Sequence, residues 1–136
     1  AYSLAQREQG EAHYLHTWRM EYEMMLGGPR FNVSTDEISA MKKEMREQRL
    51  SRLKNLLLQN HIPETADNIH IVEGTVFEVT NKLINELQID VVVMGSVGRS
   101  GIPGLLIGNK AERLLNIINC TVMTVKPDGF ESPVTF

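Results

Sequence analysis

Apolar positions along the chain change their period several times, and each change predicts an element. Ala1, Leu4 and Ala5 lie one helical turn apart and Gly10 follows as a stop, which predicts the end of a helix over residues 1–9. Across residues 11–18, Ala12, Tyr14, His16 and Trp18 alternate with His13, Leu15 and Thr17, the period of a strand. Residues 19–33 are rich in Met and Gly and predict a loop with one helical turn at Glu21–Leu26. Ser34-Thr35-Asp36-Glu37 then supplies a hydroxyl cap and first-turn acids, which satisfy free N–H groups and suit the helix dipole. Ile38, Met41, Met45, Leu50, Leu53 and Leu57 follow at helical spacing, so the helix runs to about Asn60, with Pro63 beyond it. Lys42, Lys43, Glu44, Arg46, Glu47, Arg49 and Arg52 occupy its other face and are expected to be solvated, with mixed charge pairs.

The second half repeats the alternation. Residues 68–74 predict a short strand ending in Gly74, and 76–87 a helix with Val79, Leu83, Ile84 and Leu87 inward. Asp90-Val91-Val92-Val93-Met94-Gly95 is a continuous β-branched run, as expected of a strand buried on both faces. A helix over 108–119 follows, with Ala111, Leu114, Leu115 and Ile118 inward, and then a strand over 121–126 closed by Pro127. Strands and helices alternating at this spacing predict an α/β domain over residues 1–127. Its sheet is open and mostly parallel, with helices on both faces in flavodoxin-like layering. Residues 128–136 read as an irregular tail.

Composition narrows the function classes. The net charge is −3, with no clustered excess of Lys and Arg, so no nucleic-acid footprint is expected. No apolar run is long enough to predict a membrane span. One cysteine, Cys120, makes neither an internal disulfide nor a multi-cysteine metal site, and fits a cytoplasmic location. The chain starts at Ala1 and inside a helix, which points to a piece of a longer protein.

Candidate chemistry concentrates after the strand at 90–95. Gly95, Gly98, Gly101, Gly104 and Gly108 allow backbone N–H groups to turn toward one point, and Gly108-Asn109 opens a helix whose free N–H groups favour an anion. This segment also leaves the carboxyl end of a parallel strand, where open α/β sheets bind ligands. Glycine is equally the ordinary turn residue, so richness alone decides nothing. Arg99 fits a phosphate contact or a solvated loop position alike. Ser96 and Ser100 have no evident His-and-acid partners and there is no Gly-x4-Gly-Lys-Ser/Thr loop, so no catalytic residue is assigned. His13 and His16 are three apart on one strand and point to opposite faces; His61 and His70 have no partner spacing. No metal site is expected. Cys120 and the Met20, Met24 and Met25 cluster read as packing.

The spacing Gly-x2-Gly-x9-Gly at Gly95, Gly98 and Gly108 resembles the ATP-binding signature of the universal stress protein family. Residues 90–95 resemble that family's fourth strand, 119–126 its last strand, and Glu73-Gly74 with the helix after it the third strand and crossover. Residues 125–130 and 104–109 resemble the second, C-terminal domain of UspE-type members, which carry two such domains in one chain. The resemblance implies a stress-survival role. It implies that ATP or another adenine nucleotide would be held by Gly95, Gly98, Arg99, Gly108 and Asn109, with Met94 on the adenosine side, and that any turnover would be slow. It also implies pairing with a sister domain or a second copy through the strand Val122–Val125.

Two departures qualify it. Asn109 stands where the signature has a Ser or Thr whose hydroxyl contacts phosphate; its amide can donate to a phosphate oxygen, and Asn is also a good cap. The family's first strand, central in its sheet, is missing, so the strand at 11–18 is not expected to pair with that at 90–95. The segment alone is then expected to be unstable. The alternative function is a scaffold or dimerisation module that binds no nucleotide.

Overall fold

The computed structural model describes residues 1–20, 26, 33–95 and 109–126. Their order is α1 (Tyr2–Arg7), β1 (Tyr14–Trp18), α2 (Thr35–Gln59), a 3-10 turn at Ala66–Asn68, β2 (Ile69–Glu73), α3 (Val76–Leu87), β3 (Val91–Gly95), α4 (Asn109–Leu115) and β4 (Thr121–Val125). The alternation expected from the sequence is present, with parallel strands. The predicted loop at 19–33, the segment 96–108 and the tail lie outside the described residues, apart from a few positions of the loop.

Two compact units divide the chain, Ala1–Val76 and Phe77–Phe136. In the first, β1 and β2 pair in parallel with Tyr14 opposite Ile69 and Trp18 opposite Glu73. Gly74 closes the ladder by donating its N–H to the Trp18 carbonyl at 2.9 Å. α2, the crossover between these strands, packs against β2. It starts because Ser34 and Glu37 cap it reciprocally. Glu37 N–H donates to Ser34 Oγ at 3.2 Å and Ser34 N–H donates to Glu37 Oε2 at 2.9 Å. Trp18, Leu57 and Ile71 are buried.

The helix face expected to be solvated is exposed at Lys43, Glu44, Arg46, Glu47 and Arg52 but partly buried at Lys42 and Arg49. Lys42 is half-buried and pairs with Glu73 at 3.0 Å, while the Arg49 guanidinium lies 5.1 Å from the centre of the Trp18 ring. Both side chains, though partly buried, place their charge against a partner. Conversely Met41, read as inward, is exposed.

In the second unit, β3 and β4 pair in parallel, Val91 opposite Thr121 and Gly95 opposite Val125. Ile84 of α3, Leu114 of α4 and Ile118 form a buried cluster, with Phe77, Ile89, Val92, Met94, Cys120 and Val122 packed against it. Three expectations are corrected here. β3 is half-buried instead of enclosed on both faces: Val92 and Met94 reach the cluster, and alternation turns Val91 and Val93 the other way. α4 buries Leu114 and leaves Leu115 exposed. Leu87 ends α3 exposed, while Thr80 takes a buried position. The described strands form two two-stranded sheets, β1–β2 and β3–β4. Among the described residues no helix is long and apolar enough to cross a membrane.

Candidate functional site

The glycine segment begins where β3 ends. Gly95 is the last residue of the strand and is exposed, and a Cβ built there meets nothing within 4 Å. Met94, beside it, packs its side chain on the Ile84–Leu114–Ile118 cluster. α4 starts at Asn109, the position read as a helix start. Gly98, Arg99 and Gly108 lie outside the described residues. The described part therefore places both anchors of the segment, the strand end and the helix start, in one unit.

A shallow groove of about 590 Å³ lies at the opposite, amino end of these strands, lined by Ile89, Asp90, Ile118, Asn119, Cys120 and Thr121. Burial pushes the Cys120 thiol pKa up; a hydrogen bond with the Val92 backbone acts against this and the Asp90 charge adds to it. A thiol held in its neutral form is a poor nucleophile, in keeping with a packing role.

The first unit brings together groups that sequence spacing did not connect. His13 Nδ1 lies 3.1 Å from His70 Nε2, and Glu11 Oε2 lies 3.7 Å from the other nitrogen of His13. Register makes this pair: Leu15 is opposite His70, and His13 stands two residues before Leu15, on the same side. Burial lowers the His70 pKa, with the neighbouring His13 contributing. His16 is exposed; partial burial and the Arg49 charge lower its pKa. Trp18 Nε1 and Tyr14 Oη are buried without a hydrogen-bond partner. Among the described residues no group of three His, Cys, Asp or Glu side chains is placed to hold a metal ion.

The sequence model of the universal stress protein family matches residues 1–126. The chain belongs to the universal stress protein family. Universal stress protein E of Photorhabdus laumondii is 33% identical over 106 residues, which cover 78% of this chain and 32% of that protein. Its namesake in Escherichia coli strain K12 is 34% identical over 96 residues, 71% of this chain and 30% of that protein. A universal stress protein of Methanocaldococcus jannaschii is 28% identical over 95 residues, 68% of this chain and 53% of that protein. Matches to the first two thus span about a third of those proteins' length. For a universal stress protein domain, the parallel strands and the glycine spacing at Gly95, Gly98 and Gly108 are the features read from the sequence. The His13–His70 pair was missed, because nothing in a single sequence signals a contact across 57 positions.

Proposed function

We propose that this universal stress protein domain binds an adenine nucleotide, ATP, through the segment from Gly95 to Asn109, as part of a stress-survival response. The observation that carries the reading is the joining of a parallel strand's carboxyl end at Gly95 to a helix start at Asn109, with the Gly-x2-Gly-x9-Gly spacing between them. Backbone N–H groups of Gly98 and Gly108 meet the phosphates, Arg99 adds charge, and the Asn109 amide replaces the hydroxyl of the usual signature. The backbone at the end of β3, next to Met94, flanks the adenosine. No base, nucleophile or metal cluster is assigned, so hydrolysis is slow or absent. In this reading the domain acts in the cytoplasm as the C-terminal member of a tandem pair; the matches to two universal stress protein E relatives span about a third of their length.

The test is calorimetric titration of ATP into the wild-type protein, Gly98→Ala and Asn109→Ala. Saturable binding to wild type that Gly98→Ala abolishes is the expected result. No binding to wild type overturns it.

A second reading has its own observation. β4 leaves Met123 and Val125 exposed while Val122 packs inward, so one face of the strand presents apolar side chains. Val122–Val125 then pairs with a sister domain or a second copy, without nucleotide. Sedimentation of wild type against Val125→Lys separates the two readings: the second requires loss of association, and the first does not.

A further inference from the structure

The contact between His13 and His70 is a hydrogen bond that works with one proton in it and fails with two. From it we propose that the first unit carries an acid-sensitive latch, which ties β1 to β2 at neutral pH and lets go on acidification. The latch does not depend on nucleotide binding. His13 Nδ1 and His70 Nε2 lie 3.1 Å apart. A neutral imidazole has one N–H and one bare nitrogen, so one ring donates and the other accepts. Glu11 Oε2, 3.7 Å from His13 Nε2, favours the tautomer with its proton on Nε2. His13 Nδ1 is then bare, and His70 donates to it through Nε2. A first added proton goes to His70 Nδ1, on the outer side of the ring, and keeps the bond, now charge-assisted. A second has only His13 Nδ1 to go to, which is the accepting atom. Both facing nitrogens then carry N–H groups, two positive rings meet, and the bond is lost. Such a pair titrates as one unit in two steps.

The charges of α2 belong to the other face of the ladder. His13 and Leu15 share one side of the chain, and Leu15 is opposite His70, so the pair stands on the face that carries His70 and Val72. Ile69, Ile71 and Glu73 turn the other way. There α2 meets them: Lys42 reaches Glu73, and Arg49 reaches the ring of Trp18, which is opposite Glu73. Tyr14 and His16 are on that face too, Tyr14 near Tyr2 of α1 and His16 near Arg49. Arg7 and Glu8, at the end of α1, pair with each other. In the segment before β2, Glu64 pairs with Lys54 and Asp67 is exposed. Glu11 is the acid that meets the pair, and it is 89% exposed, whereas the side chain of His13 is only 18% exposed. Solvent screens that carboxylate more than the rings, so it offsets little of a second positive charge. Burial lowers the His70 pKa, and the His13 charge lowers it further. With the folded value below the ordinary 6.5, the unfolded chain takes up protons first. The stability the pair contributes is therefore present above about pH 6.5 and is lost as pH falls from there through the folded value.

The test follows ring nitrogens and backbone amides of the full chain by nuclear magnetic resonance, from about pH 8 to about pH 5. At the upper end a scalar coupling between His13 Nδ1 and His70 Nε2 is expected, and it disappears as the second ring is protonated. Over the same interval the amides of Tyr14–Trp18 and Ile69–Glu73 are expected to lose hydrogen-exchange protection by about threefold or more, after correction for the intrinsic pH dependence of exchange. Those of Val91–Gly95 and Thr121–Val125, strands without histidine, keep theirs and serve as the internal control. His13→Gln and His70→Gln each flatten the response, and His16→Gln, on the other face, retains it. Circular dichroism checks the fold of each variant, and the wild-type measurements need none. Absence of the coupling at the upper end, a coupling that survives protonation of both rings, equal loss of protection in the two sheets, or a response undiminished in His13→Gln and His70→Gln overturns the proposal.

Discussion

Three helices end on a left-handed residue that is not glycine: Gln9 at φ 56°, His61 at φ 53° and Gln88 at φ 52°. Each end closes in the same way, the next residue donating back five positions: Gly10 to Ala5, Ile62 to Leu57 and Ile89 to Ile84. Gly10 was legible as a stop, but it sits one position past the residue that takes the positive φ. A Cβ in that conformation costs energy that glycine avoids, partly offset by the entropy glycine loses on folding. His61→Gly and Gln88→Gly are each expected to stabilise the protein by about 0.5–1 kcal/mol, read as a higher urea midpoint. At the other end of α2, Ser34 donates to Glu37 from its hydroxyl and its N–H, and these bonds hold the Glu37 carboxyl below its ordinary pKa. A depressed carboxylate contributes stability above its unfolded pKa and loses it as pH falls through the folded value. The first turn of α2 is therefore expected to fray on acidification below about pH 4, followed by the Ser34 amide signal in a pH titration. In Ser34→Ala, Glu37 titrates closer to its ordinary value, and the lost cap costs about 1 kcal/mol.

At the scale of elements, the period of the apolar positions was legible and the depth of each was not. α2 places Ile38, Met45, Leu50, Leu53 and Leu57 inward as their spacing requires, yet only Leu57 is fully buried. A helical stripe fixes a direction, while burial depends on what the neighbouring elements cover. The same limit separates Leu114 from Leu115 in α4: both are leucines on adjacent positions, and only one meets the Ile84–Ile118 cluster. Leu114→Ala is expected to destabilise by about 2–5 kcal/mol, because it opens a cavity in a packed cluster. Leu115→Ala is expected to cost under about 1 kcal/mol. Equal costs in chemical denaturation would show that α4 is turned differently. Lys42 and Arg49 illustrate the converse: a charged letter reads as solvent-facing, but a long flexible side chain can be partly buried while its end finds Glu73 or the Trp18 ring.

For the molecule as a whole, the alternation of elements and the family were legible, and of the candidate site only its glycine spacing. Glycine spacing marked the segment from Gly95 to Asn109, whereas the His13–His70 contact exists only through the Leu15–His70 register. The described residues divide their buried apolar side chains between two small groups, each beside a two-stranded sheet. Two strands alone are marginal in water and lean on their helices. The chain by itself is accordingly expected to unfold at low urea, with Trp18 emission and far-ultraviolet dichroism following different curves. A single coincident, cooperative transition would contradict this. Trp18 also has an optical consequence. It is the sole tryptophan of the sequence, and its indole lies beneath Arg49 in the first unit. Intrinsic fluorescence thus reports on the surroundings of Trp18 in that unit. A dye on Cys120, the only thiol, would watch the other unit, and its raised pKa calls for labelling in alkaline buffer.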